Sequence, residues 1–142
     1  MNERRSDQRK VKVGVGGVML KDGQVLMIQE NCSNPEYGKQ AGMFSIPLGG
    51  VEPGESWERA IQREAREETG CETSIEVYLG QVHIPGAIAH LFLLTIEKER
   101  LAGELDPRWV AIGEVLNLPD GGVRPPTKAA IQLALCWRDK LR

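Results

Sequence analysis

Apolar and polar positions alternate along much of this chain, and their period sorts it into elements. From Val11 to Leu20, Val11, Val13 and Val15 alternate with Lys12, Gly14 and Gly16, the two-residue period of a strand. Lys21-Asp22-Gly23 supplies a hairpin turn, and Val25 to Gln29 reads as the returning strand. Gly14, Gly16 and Gly17 weaken the first strand; they let a ligand approach its backbone or simply let a helix pack against it. Residues 31–43 are polar and form a long loop, followed by a short strand from Phe44 to Pro47. The period then changes to that of a helix: Trp57, Ala60, Ile61 and Ala65 would share a core-facing side. Ser56 stands at the N-cap, Glu58 in the first turn and Gly70 at the left-handed stop.

Beyond that helix the strand pattern returns. Ile75, Val77, Leu79 and Val82 mark a strand from Ser74 to Ile84, with a slip near Gly80 that suggests a bulge. Pro85-Gly86 makes a turn, and the almost unbroken apolar run from Ile88 to Ile96 reads as a central, buried strand. His83 and His90 fall on these strands as packed or surface residues with no assigned role. A polar connection, 97–107, leads to a short strand from Arg108 to Ile112 and one helical turn from Gly113 to Leu118. After the Gly- and Pro-rich loop 119–126, Thr127 caps a last helix, 128–141, with Ala130, Ile131, Ala134, Leu135 and Trp137 as its apolar face. The order ββ, β, α, ββ, β, α specifies an α/β or α+β domain and no more.

Composition narrows the function. The 142 residues suit one domain over 11–142, preceded by a flexible polar tail, 1–10, without the apolar run of a signal peptide. Nothing approaches a membrane span in length. A net charge of −2 offers no footprint for stable nucleic-acid or anionic-membrane binding. Cys32, Cys71 and Cys136 are odd in number and scattered, which fits reduced thiols in a cytoplasmic protein, with Cys71 and Cys136 in the core.

The chemistry concentrates between Gly49 and Cys71. Gly49, Gly50, Pro53 and Gly54 form a loop that admits close approach to the backbone. On the helix that follows, Glu64, Glu67 and Glu68 occupy one narrow sector, at i, i+3 and i+4. Like charges so placed cost a helix roughly a few tenths of a kcal/mol per pair. A hard divalent cation would offset that repulsion, and so would solvation with Arg59, Arg63 and Arg66 as partners. The spacing bears on this choice: Gly49, five residues, Glu55, seven residues, Arg63-Glu64, two residues, Glu67-Glu68, one residue, Gly70. It resembles the box of the Nudix (MutT-like) hydrolases.

That resemblance implies a fold, a cofactor and a reaction. The fold would be a mixed β-sheet sandwiched between α-helices. The reaction would be hydrolysis of a nucleoside diphosphate linked to X, giving a nucleoside monophosphate and phosphorylated X, with Mg²⁺ or Mn²⁺. Glu67 and Glu68 would be the main metal ligands, and Glu64 a third ligand or the base acting on water. Glu55 and Arg63 would pair to pin the loop onto the helix, and Gly70 would end it. A further carboxylate is expected from the late loop, with Glu104 first, Asp106 second and Glu97, Glu99 and Glu114 behind them. Leu48 stands where relatives usually carry glycine. Its carbonyl would serve as a metal ligand, unless the turn needs a positive φ that leucine resists. In loop 31–43, Tyr37 offers a ring for a base and Lys39 a charge for a phosphate, although solvated surface is the simpler account of both. The leading substrate is a nucleoside or deoxynucleoside triphosphate or another small nucleotide. ADP-ribose or a nucleotide sugar, a dinucleoside polyphosphate, a capped or triphosphorylated RNA end, and a nucleotide sensor without turnover are the alternatives. A homodimer is compatible with the chain.

Overall fold

A computed structural model describes residues 12–140; the tail expected over 1–10 lies outside them. The strands are β1 (Lys12–Lys21), β2 (Gln24–Gln29), β3 (Phe44–Ser45), β4 (Leu48–Gly50), β5 (Glu72–Ile84), β6 (Ala87–Lys98) and β7 (Arg108–Ala111). The helices are α1 (Trp57–Thr69), α2 (Ile112–Leu116) and α3 (Thr127–Lys140). All seven strands join one mixed sheet, ordered β3-β2-β1-β6-β5, with β4 also on β1 and β7 on β2.

β1 organises the sheet. It runs parallel to β6 from Lys12↔Ala87 to Met19↔Leu94. Its other edge is shared: β4 pairs at Gly14–Gly16, and β2 pairs at Leu20 and Lys21. Val15, Met19, Phe92 and Leu94 meet Ala60, Ile61 and Ala65 of α1 on one face. On the other face, Val18, Leu91 and Leu93 meet Ala130, Ile131 and Ala134 of α3. The sheet is therefore sandwiched between helices, as the resemblance implies.

This burial on both faces explains why simple alternation misreads β1. Val13 is 43% exposed, whereas Gly14, Gly16 and Gly17 are buried. A Cβ on Gly17 would lie 2.6 Å from Leu94 Cδ1 and 3.0 Å from Ile61 Cγ1. That glycine serves helix packing, the plainer of the two expectations.

The Asp22-Gly23 turn has positive φ at both residues, which suits the right-handed twist of a tight hairpin. The bulge expected near Gly80 is present as a register shift between Tyr78 and Gly80, with another between Ile75 and Val77. Both strands of this hairpin run beyond the expected ends, to Glu72 and Lys98, because edge-strand pairing continues after the apolar pattern stops. Two expectations need correction. Cys136 is exposed while Cys71 is buried, since Cys136 falls on the outer side of α3. Thr127 is the first residue of α3 rather than its cap: the Ala130 N–H donates to the Pro126 carbonyl, and the Thr127 hydroxyl accepts from the Ile46 N–H. Among the described residues, no helix is long and apolar enough to cross a membrane.

Candidate active site

The loop from Gly50 to Ser56 is held by one side chain. Arg63 donates from Nε to Glu55 Oε2 at 2.8 Å and from Nη2 to Glu55 Oε1 at 3.0 Å, and Nη2 also donates to the Gly50 carbonyl at 3.0 Å. Glu55 Oε1 accepts from the Glu52 N–H as well. A planar guanidinium fits this fork; an ammonium would not. The Arg63 hydrogen bonds, helped by the Glu52 N–H, lower the Glu55 carboxyl to about 2, and Glu55 in turn raises Arg63 above its ordinary range. At the ends of α1, Ser56 Oγ accepts from the Arg59 N–H at 3.1 Å, and Gly70 adopts φ 83°. Gly70 has a second reason to be glycine, since a Cβ there would lie 2.1 Å from the Arg100 carbonyl oxygen.

With the loop fixed, the helix presents its carboxylates to β4. A Cβ on Gly49 would sit 1.6 Å from Glu64 Oε2, so only glycine lets Glu64 reach this position. Glu68 Oε1 accepts from the Leu48 N–H at 3.2 Å. Burial raises the Glu68 carboxyl far above the usual carboxylate range, and the adjacent Glu64 carboxylate raises it further. Leu48 is an extended strand residue with its side chain in the core, so no positive φ is asked of it.

Glu64 and Glu68 line a cleft of about 750 Å³ with Gly49, Tyr37, Lys39 and Arg124. Glu67 does not line it: its side chain is 53% exposed and meets Arg63 Nη1 at 3.3 Å. Among the described residues, no three His, Cys, Asp or Glu groups stand together as a ready cation site. Glu104 is exposed, and its N–H meets the Glu67 carbonyl at 3.4 Å, which docks the late loop on the end of α1. Asp106 pairs with Arg108. Glu97 accepts from Ser74, and Glu99 accepts from Lys21 and the Trp109 indole, bonds that lower the Glu99 carboxyl. Glu114 borders a separate small hollow with Met27 and Leu118.

The NUDIX domain model matches residues 9–130. This chain belongs to the Nudix family. It is similar to the CTP pyrophosphohydrolase of Escherichia coli, 37% identical over 79 residues, covering 54% of this chain and 56% of that protein. It is also similar to the ADP-ribose pyrophosphatase of Methanocaldococcus jannaschii, 32% identical over 113 residues, covering 75% and 64% respectively. The chain thus spans less than two thirds of either relative's length. Among solved structures, a NUDIX hydrolase from Nitrosomonas europaea superposes with a TM-score of 0.74 at 25% identity, over 94% of this chain and 92% of that one. The E. coli ORF135 protein superposes with a TM-score of 0.66 at 26% identity, over 92% and 93%.

In and behind the wall facing the Nudix helix lie two residues to which no role was assigned from the sequence. Glu30, at the end of β2, pairs with Arg124 Nη1 at 3.0 Å, and Lys39 Nζ lies 3.8 Å from its other oxygen. The Glu30 and Arg124 side chains are 2% and 10% exposed, and Arg124 Nε has no hydrogen-bond partner. Arg124 could have been suspected as the lone cation of a Gly- and Pro-rich loop; Glu30 had no comparable signal. Loop 31–43 is ordered by a short 3₁₀ turn, Pro35–Tyr37, with Asn34 Oδ1 accepting from the Glu36 N–H. It packs on the β5–β6 turn: a Cβ on Gly86 would come within 2.9 Å of the Tyr37 ring. Pro85-Gly86 is accordingly the two-residue turn expected.

Trp57 departs from its expected place in the core. It is 40% exposed and stacks on His90, with ring centroids 3.5 Å apart. His90 is buried, and that burial lowers its pKa. His83, by contrast, is a surface residue.

Proposed function

We propose that this Nudix protein is a divalent-metal-dependent pyrophosphohydrolase acting on the diphosphate linkage of a small nucleotide. The observation that carries this is the convergence of Glu64 and Glu68 at the cleft, against a glycine that leaves room for nothing larger. The donor set suits Mg²⁺ or Mn²⁺: it is oxygen only, partly buried and made of carboxylates whose mutual repulsion a cation would offset. Glu64 and Glu68 would hold the cation, together with Glu67 released from Arg63, and the Leu48 carbonyl would complete the set. When bound, the metal supplies charge neutralisation on the pyrophosphate and acidifies a coordinated water.

The chain's own groups do the rest. Arg63 keeps the carboxylates in register through Glu55 and Gly50. A Glu64 carboxylate oxygen takes the proton of the attacking water, or shares that task with Glu104, which the late loop brings beside the helix end. Lys39 and Arg124 face the cleft with positive charge for phosphate oxygens, and Tyr37 borders the same space. Positioning and charge stabilisation of this kind supply most of the catalysis in phosphoryl transfer.

A nucleoside triphosphate is the leading substrate, and likeness to a CTP pyrophosphohydrolase supports it. ADP-ribose is the second reading, favoured by likeness over 75% of this chain to an ADP-ribose pyrophosphatase. A Mg²⁺-dependent panel of NTPs, dNTPs, ADP-ribose, nucleotide sugars and dinucleoside polyphosphates, with products separated by chromatography, tests both. Monophosphate release that stops in chelator is the expected result. Silence across the panel with Mg²⁺ and Mn²⁺, alongside nucleotide-induced thermal stabilisation, would replace hydrolysis with sensing.

A further inference from the structure

Trp57, Glu64 and Glu68 lie on one stripe of α1. At about 100° per residue, the steps of seven and eleven residues each return to within roughly 20° of the starting direction. The rise puts Trp57 about 10 Å from Glu64 along the axis. All three residues border the same cleft. The indole is fixed from one side. Its ring lies 13° from the plane of His90, and His90 Nδ1 is 2.9 Å from the Tyr78 hydroxyl. Tyr78 in turn packs on Phe92, with ring centroids 5.2 Å apart. His90 is only 5% exposed, so this support is part of the core. Trp57 is left 40% exposed and borders the cleft, as does Val13, which is 43% exposed. A large apolar ring held rigid and left half open at the site of the carboxylates is a preorganised surface for another flat ring.

We propose that Trp57, fixed by His90 and flanked by Val13, is the platform on which the base of the nucleotide stacks while its phosphates lie at Glu64 and Glu68. This rests on the reading of the cleft as a nucleotide site and assigns the end that holds the base. The separation along α1 is comparable to the reach from a nucleobase to the phosphates on its 5′ carbon. Stacking tolerates any base, so the platform sets affinity for nucleosides as a class.

The test measures binding without turnover. Dissociation constants for the 5′-monophosphates of adenosine, cytidine, guanosine and uridine, and for ribose 5-phosphate, are taken by calorimetry on the full chain, Trp57→Ala and Trp57→Phe. We expect Trp57→Ala to weaken nucleotide binding about five- to hundredfold, to leave ribose 5-phosphate unchanged, and Trp57→Phe to keep most of the affinity. Equal nucleotide affinity in Trp57→Ala and the parent would overturn the proposal, as would an equal loss for ribose 5-phosphate. If Trp57→Ala does not fold, indole fluorescence of the parent decides: nucleotides quench it and ribose 5-phosphate does not, and the quench disappears in Trp57→Phe. Absence of any quench counts against the platform. The hydrolysis panel fails independently of these results, because no turnover is read here.

Discussion

The two walls of the cleft are built in different ways. The carboxylate wall comes from one continuous stretch, Leu48 to Gly70, in which the contacts that set the carboxylates, Glu68 with Leu48, Arg63 with Glu55 and Glu64 with Gly49, span at most twenty positions. The facing wall is assembled from loop 31–43, the β5–β6 turn and Arg124, whose contact with the buried Glu30 behind it spans 94 positions. The first is fixed by local geometry: a cap, a helix register and a forked ion pair. The second depends on the whole sheet closing correctly. Chemistry common to a family can reside in the local wall, and selectivity for one substrate in the wall that varies with topology.

The sharpest way to separate the walls is to damage each in turn. On the carboxylate wall, Gly49→Ala puts a methyl into Glu64 and should cut hydrolysis by several kcal/mol of barrier, about 10²–10⁴-fold, with far-UV circular dichroism preserved. Behind the facing wall, Glu30→Gln leaves the buried Arg124 charge unpaired. It should cost about 3–5 kcal/mol of stability, read from the urea midpoint, a loss the carboxylate wall does not share. Gly70→Ala combines a left-handed φ with a clash on Arg100, and about 1–3 kcal/mol is expected to be lost in the same assay. Ser56→Ala removes only the cap and should cost about 1 kcal/mol.

The forked pair adds a pH signature. Glu55 is held near 2 when folded, below its unfolded value of about 4.3. Its contribution is therefore present above the unfolded value and is lost as pH falls through about 2. Glu55→Gln should flatten the acid limb of the stability curve across that window and leave the neutral region parallel to the parent. An unchanged acid limb would mean that the fork does not hold the loop.

This contrast also explains what could be read from the chain. The helix from Ser56 to Gly70, the Asp22-Gly23 turn and the bulge at Gly80 were legible because caps, glycines and period are local signals. The family spacing made Glu64, Glu67, Glu68 and the Glu55–Arg63 pair visible at once. Burial was not legible where β1 is covered on both faces, because Gly16 and Gly17 look like weak strand residues until Leu91, Leu94 and Ile61 are set against them. Trp57 matched the apolar period of α1, yet it sits at the helix entry, where the sheet leaves room for His90 and not for full burial. Glu30 and Arg124 became a pair only through pairing of β2 with β3 and docking of the last loop on Phe44.

The most direct test of the central claim is nucleoside triphosphate hydrolysis with Mg²⁺ by the parent and by Glu68→Gln, with unfolding midpoints measured on the same samples. The account predicts monophosphate release by the parent that stops in chelator. It also predicts at least an approximately hundredfold slower rate in the variant, with a midpoint equal to or above the parent's, because a buried acidic pair has been relieved. Hydrolysis at the parental rate in Glu68→Gln, or in the parent with chelator present, would contradict it.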